Sequence, residues 1–207
     1  VKHPNAREHL AAKRVAPGET APRILLADIA GAPVHWSETG RRTHVQFRRF
    51  AGCPICNLHL RSFLLRRKEI EDAGVREIIV FHSTVTEIAK YQSQIPFTLI
   101  ADPDKQLYRE FGVESSLRAL LNPRLWKSGP RIMSSLLRLL FIDRRMPHLI
   151  PTGGPVGLPA DFLIGEDGRV LAAKYGRHAF DQWTVDELLL RARNHTVGIE
   201  SGEAPAH

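Results

Sequence analysis

Both cysteines of the chain, Cys53 and Cys56, fall in one short stretch, FRRFAGCPICNLHLRSF, which spans residues 47–63. The residues before them, Thr43-His-Val-Gln-Phe, read as a strand, and after Pro54 apolar residues recur at helical spacing. A strand that runs into a helix aims the N–H groups of the helix's first turn at whatever sits at the join. The spacing predicts Cys53 at the N-cap and Pro54 in the first turn, where its missing N–H costs nothing. A thiol so placed has its anion stabilised by the helix dipole, with the arginines at 48 and 49 adding to the effect. An ordinary cysteine, with a pKa of about 8.5, is only a few per cent thiolate at neutral pH. Lowering that by roughly two units makes thiolate the majority species. Cys56 lies about one helical turn on, close enough to close a disulfide onto Cys53, and is the natural resolving thiol.

The rest of the chain supplies a frame for that join. Residues 23–28 and 34–36 read as short strands around the turn Ala30-Gly31-Ala32-Pro33, an N-terminal hairpin. Residues 43–50 form the strand that feeds the cysteines. The helix after Pro54 carries Leu58, Leu60, Phe63, Leu64 and Ile70 on its apolar side and stops at Gly74. Residues 76–82 (REIIVFH) are an almost unbroken apolar run, as expected of a strand covered on both faces. A short helix at 86–92, a strand at 95–101 and a helix from Asp102 to Phe111 follow. This alternation is the mark of an α/β fold with a parallel or mixed sheet. Residues 114–150 break the rhythm with leucines and arginines interrupted by Pro123 and Pro130, and read as an amphipathic helical insertion. Such an insertion covers core or a dimer surface, or lies on a membrane. Two strands at 160–165 and 169–175, joined through Glu166-Asp167-Gly168, and a helix at 184–193 complete the pattern.

Bulk properties exclude several classes of function. The chain has 207 residues, enough for one domain with a proper core, and 43% hydrophobic and 25% charged residues are ordinary for a globular protein. The net charge of +7 is spread over several segments without aromatic interleaving, so no nucleic-acid partner is expected. No run approaches the roughly 18 apolar residues of a membrane span. The N-terminal VKHPNAREHLAAKRV lacks the apolar centre of a signal peptide, so the expected location is cytoplasmic. In a reducing compartment a lone pair of cysteines is catalytic or metal-binding, not a scaffold. No phosphate-binding glycine loop is present, and no cofactor is expected.

Taken in series, Gly18-Glu-Thr-Ala-Pro22, Leu26-Ala-Asp-Ile-Ala-Gly31, FRRFAGCPICNLHLRSF, ADPDKQLYREFGV and LPADFLIGEDGRVL resemble the thioredoxin fold as elaborated in the peroxiredoxin superfamily. This is the alkyl hydroperoxide reductase and thiol-specific antioxidant (AhpC/TSA) group. The motifs are most similar to its peroxiredoxin-like branch, which carries Cys-Pro-x-Cys-Asn and a long insertion ahead of a Leu-Pro-x-Asp-Phe strand. The resemblance implies a three-layer thioredoxin-like fold with a central mixed sheet, an N-terminal hairpin extension and the helical insertion at 114–150. It implies one redoxin domain over residues 19–194, with an extension at 1–18 and a flexible tail at 195–207. It makes Cys53 the attacking thiol, Cys56 its partner, and Pro159 a cis-proline that begins a strand beside them. Such a bond would present the Leu158 backbone to an extended substrate pairing as an added strand.

Two departures bear on the chemistry. Typical peroxiredoxins place a Pro and a Thr a few residues before the attacking cysteine, whereas Phe47-Arg-Arg-Phe-Ala-Gly stands here. Their arginine ahead of the later strand is replaced by Leu158-Pro159. The leading expectation is therefore thiol–disulfide exchange with a protein or small-molecule disulfide, reset by an external thiol reductant. Hydroperoxide reduction is the alternative. Two readings of another class stand beside it. Cys53, Cys56 and His59, with His44 or His82, would be ligands of a zinc site. In a non-catalytic binding module the thiols would be inert. Arg61, Arg177 and His178 read as solvated-face and loop residues, and a homodimer is compatible with the pattern.

Overall fold

The computed structural model describes residues 13–22, 26–92, 94–113 and 157–195. The insertion expected at 114–150, with its membrane or dimer reading, lies outside them, as do most of the expected extension at 1–18 and nearly all of the expected tail. The elements are β1 (Leu26–Ala27), β2 (Pro33–Val34), β3 (Arg42–Arg48), α1 (Pro54–Leu65), α2 (Arg67–Asp72), β4 (Val75–Phe81), α3 (Val85–Gln92), β5 (Thr98–Ala101), α4 (Gln106–Glu110), β6 (Ala160–Ile164), β7 (Val170–Tyr175) and α5 (Val185–Asn194).

The five main strands form one mixed sheet in the order β5-β4-β3-β6-β7. Strand β3 is its centre, parallel to β4 with Arg48 opposite Phe81, and antiparallel to β6 with Phe47 opposite Ala160. The pleat sends alternate residues to opposite faces. Val45, Phe47, Ile78, Val80, Ile100, Ala160 and Phe162 form one face, packed with Trp36, Leu107, Tyr108 and Phe111. On the other face Leu163 packs with Phe63, Ile70, Trp183 and Leu188, and Ile79 and Leu99 with Leu60 and Ile88. Helices α1, α2, α3 and α5 thus cover one side and α4 with the N-terminal segment the other, the three layers that the resemblance implies. Burial on both faces explains the unbroken apolar text of β4.

Local chemistry accounts for the differences in detail. The long helix expected from Pro54 to Gly74 breaks at Arg66 into α1 and α2, and Leu64 is 39% exposed rather than facing the core. Among the described residues the N-terminal hairpin pairs Leu26 with Val34 and Ala27 with Pro33. Its turn is held by Asp28, whose carboxylate accepts the N–H groups of Ala30 and Ala32. Strand β5 starts only at Thr98, past Pro96, which has no N–H to give a ladder. Helix α4 opens late because Asp102 draws the N–H groups of Gln106 and Tyr108 onto its carboxylate.

One expectation is overturned. No cis peptide bond occurs among the described residues, so Pro159 is trans. The trans form is the lower-energy isomer of an X-Pro bond by about 0.5–1 kcal/mol. In it the Pro159 carbonyl accepts the Gly176 N–H at 2.8 Å, which carries the β6–β7 pairing one step further.

The N-terminal segment is strapped to this frame. Val15 is buried in the core, the Gly18 N–H bonds to the Val170 carbonyl, and Gly112 closes against the backbone of Lys13 and Arg14. A Cβ on Gly112 would stand 2.6 Å from the Lys13 carbonyl oxygen, and its φ of +66° already disfavours any other residue. We expect Gly112→Ala to lower stability by about 2 kcal/mol or more, the sum of a left-handed backbone and a displaced strap. Urea unfolding checks this, and a loss under about 0.5 kcal/mol would mean that the strap contributes nothing.

Candidate active site

Strand β3 ends at Arg48, and the side chain of Arg49, the next residue, points the other way. Arg49 turns toward the cysteines, while Arg48 turns to the opposite face and under α1. The sequence reading had both acting on the thiol; only Arg49 does. Beyond it the chain makes a tight loop, closed by the Cys53 N–H on the Phe50 carbonyl at 3.0 Å. The loop is tied to its neighbours on two sides. The Ala51 N–H bonds to Ser83 Oγ at the end of β4, and Gln92 of α3 donates from Nε2 to the Ala51 carbonyl and to Asn57 Oδ1.

Cys53 is the N-cap of α1 with extended backbone, and Pro54 is the first helical residue, as the spacing predicts. Both cysteines are free and each is 1% exposed. Phe50, Ile55 and Ala179 pack around them, with Phe180 at the edge. Arg49 Nη1 approaches Cys53 Sγ at 3.8 Å, and its guanidinium also lies over the Phe50 ring. Burial works against the Cys53 anion. It is outweighed by the thiol hydrogen of Cys56, by the Arg49 charge, and by the N–H groups of Cys56 and Ile55 at the helix start, and the pKa falls to about 6. Cys56 moves the other way: the hydrogen bond it gives to Cys53 and its own burial both hold its proton on. One sulfur is thus set to attack and its neighbour waits as a thiol.

The Arg49 contribution is open to measurement. We expect the pH midpoint of Cys53 alkylation by iodoacetamide to lie near 6 in the wild type. In Arg49→Met it should rise by roughly one to two pH units, with a slower rate at pH 7. An unmoved midpoint would remove Arg49 from the site.

Leu158 and Pro159 connect Gly157 to β6. Gly157 abuts the Arg49 side chain, and Pro159 packs on Gly176 at the start of the turn that carries Ala179 to the cysteines. His59 does not join the thiols. It meets Arg48 at 3.2 Å, while His44 is held by Glu77 at 2.9 Å and Asp161 at 3.4 Å. Among the described residues no group of three or more His, Cys, Asp and Glu side chains is arranged to hold a metal ion. Arg61 is exposed on α1, and Arg177 bonds to Asp181 in the turn after β7. Two residues that the sequence reading left out of the thiol site matter to the molecule. Asp161, an acidic letter inside an apolar strand, is the partner of Arg48 at 2.7 Å. His82, read only as a metal ligand, stands beside Arg49.

The sheet and its helices agree with the comparisons. A family model described as AhpC/TSA antioxidant enzyme matches residues 61–178, more than half of the chain. The chain belongs to the AhpC/TSA family. It is a thiol-dependent oxidoreductase of that family with the thioredoxin-like fold. The peroxidoxin BcpB from Mycobacterium tuberculosis is 19% identical, with a TM-score of 0.59 over 87% of this chain and 98% of that one. A reduced 2-Cys peroxiredoxin from Plasmodium vivax is 13% identical, with a TM-score of 0.61 over 93% and 89%. A structure described as a thiol:disulfide interchange protein, DsbE, from Chlorobium tepidum is 19% identical, with a TM-score of 0.54 over 88% and 97%. At these identities the likeness establishes the fold. No curated protein matches the sequence. The family match begins after both cysteines of this AhpC/TSA protein, so their roles rest on geometry. Among the described residues no helix is long and apolar enough to cross a membrane.

Proposed function

We propose that this AhpC/TSA protein is a thiol–disulfide oxidoreductase in which Cys53 attacks and Cys56 resolves. The observation that carries the reading is the pairing of a stabilised thiolate with a protonated second thiol within hydrogen-bond reach, at the mouth of one helix. In the first step the Cys53 thiolate attacks one sulfur of a disulfide, a mixed disulfide forms, and the other half leaves as a thiolate. In the second step Cys56 loses its proton and attacks Cys53 Sγ. The Cys53–Cys56 disulfide forms and the reduced substrate leaves as thiolate. The protein has lost two electrons, which an external thiol restores. Leu158 and Pro159 are the proposed backbone rim along which an extended partner lies.

A second reading has one observation in its favour. The sequence lacks the hydroxyl and the late arginine that polarise a peroxide, yet Arg49 brings a guanidinium to the sulfur from the strand side. The same thiolate would then attack a hydroperoxide oxygen, the O–O bond would break and the other oxygen leave as an alcohol or water, and the resulting sulfenic acid would condense with Cys56 to the same disulfide with loss of water. The test mixes reduced protein with a disulfide reporter and, separately, with hydrogen peroxide, and follows thiol loss and mass. We expect rapid loss of both thiols with the disulfide. Faster loss with peroxide would reverse the order of the two readings, and slow loss with both would sink them together.

A further inference from the structure

His82 follows β4 and is fully buried at 0% exposure, with its backbone N–H on the Arg49 carbonyl at 3.3 Å. Its ring stands edge-on to Tyr108 at 5.7 Å and to Phe50 at 6.4 Å, and Phe50 is itself packed against Cys53. Neither ring nitrogen, Nδ1 nor Nε2, has a hydrogen-bond partner. Among the described residues it is the one side chain with two such buried atoms. Each unmet polar atom costs roughly 1–3 kcal/mol in the folded state, so a buried group of this kind calls for an explanation.

The surroundings say what that role takes. Burial, then the charges of Lys105 and Arg49, hold the imidazole neutral, so one nitrogen carries a proton and the other a lone pair. Gly157 lies directly across from it. A side chain there would set its Cβ 3.1 Å from His82 Nε2, tighter than ordinary contact, and 3.8 Å from Arg49 Cγ, so only a bare glycine backbone fits between the two. Arg49 reaches from there to the Cys53 sulfur. A ring N–H and a cation thus meet at Gly157 beside the nucleophile, a combination that suits an atom on which negative charge develops.

We propose that His82 is a further substrate-contacting residue, whose ring N–H donates to the atom that leaves when Cys53 attacks. This rests on the exchange reading above. As the Cys53–S bond forms and the substrate S–S bond breaks, the electron pair goes to the departing sulfur. His82 and Arg49 hold that thiolate until solvent protonates it. Phe50 packs against both Cys53 and the His82 ring, so its displacement would open both to substrate.

The effect depends on how much charge the leaving atom bears. We expect His82→Phe to slow attack on a dialkyl disulfide, whose thiol is a poor leaving group, by roughly ten- to a hundredfold. Attack on an activated aromatic disulfide should slow by less than about threefold, because its thiolate needs little help. Alkylation of Cys53 by iodoacetamide, which reports the thiolate and the fold together, should stay within about twofold. Gly157→Ala crowds His82 Nε2 and Arg49 without removing either side chain and should give the same selective loss. His82→Asn keeps a donor and should recover part of the dialkyl rate. If both disulfides slow equally, or neither slows, in His82→Phe and Gly157→Ala, His82 does not contact the leaving atom. A wild type that reacts with peroxide but with no disulfide overturns the exchange reading and this inference with it. A wild type active on both disulfides with an unmoved ratio in the variants overturns this inference alone.

Discussion

Replacing Cys56 by serine is expected to abolish turnover while leaving the first attack intact, and so to convert the protein into a trap. Cys53 keeps the helix start and Arg49, so its thiolate still forms a mixed disulfide with substrate. What disappears is the neighbouring thiol. Well-oriented groups reach effective molarities of about 10⁵ M. Even a small fraction of that exceeds a millimolar external thiol by more than about a thousandfold, so release should slow by at least that factor. The adduct should accumulate to one per chain and be visible by mass. Cys53→Ser should fail one step earlier, with no adduct. Its remaining thiol lies inside α1, 1% exposed, with its proton held on by burial. The two variants together separate attack from resolution. An adduct on Cys53→Ser, with none on Cys56→Ser, would exchange the roles of the two sulfurs.

What could be read from the letters was what depends on near neighbours. The N-cap at Cys53 with Pro54 behind it follows from residues adjacent in sequence. So do the doubly covered strand β4 and the hairpin through Glu166-Asp167-Gly168. The arginine pair shows where such reading stops. Nothing in Phe-Arg-Arg-Phe says which guanidinium faces the thiol, because that depends on the phase of the pleat at the strand's end. Asp161 was beyond reach for a related reason. It meets Arg48 across 113 positions of sequence, and only the antiparallel register of β3 and β6 makes them neighbours. The cis-proline expectation came from resemblance rather than from local chemistry, which favours the trans bond found at Pro159. His82 carried a signal, a histidine closing an apolar strand. Its two unpartnered nitrogens and the bare face of Gly157 exist only in three dimensions.

The second large effect lies on the opposite side of β3, in a group of charges sealed between the sheet and α1. His44, Arg48 and Asp161 are 0% exposed and Glu77 is 5% exposed. Asp161 binds Arg48 at 2.7 Å, lies 3.4 Å from His44 and accepts the Trp183 N–H at 3.0 Å. Removing one partner of a buried pair leaves the other charge uncompensated, at about 3–5 kcal/mol. That is a large share of the roughly 5–15 kcal/mol that a domain has in total. Asp161→Asn should therefore lower the melting temperature by about 10 °C, whereas Arg48→Met with Asp161→Leu, which removes both charges, should recover much of the loss.

The pH dependence has a definite sign. Burial raises the Asp161 pKa, but Arg48 and His44 hold it below the ordinary value, so its contribution is complete above the unfolded pKa of about 3.9 and is lost as pH falls. Burial lowers the His44 pKa, but Glu77 and Asp161 hold it above the ordinary value, so its contribution is complete below about 6.5 and is lost as pH rises. Stability from this group should peak between about pH 5 and 6.5, and Asp161→Asn should flatten the acid limb most. Urea unfolding at several pH values, with Cys53 alkylation alongside, reads all of this. An Asp161→Asn loss within 1 kcal/mol, or an alkylation midpoint that moves with it, would show that the cluster is not the separate structural unit that the two faces of β3 make it.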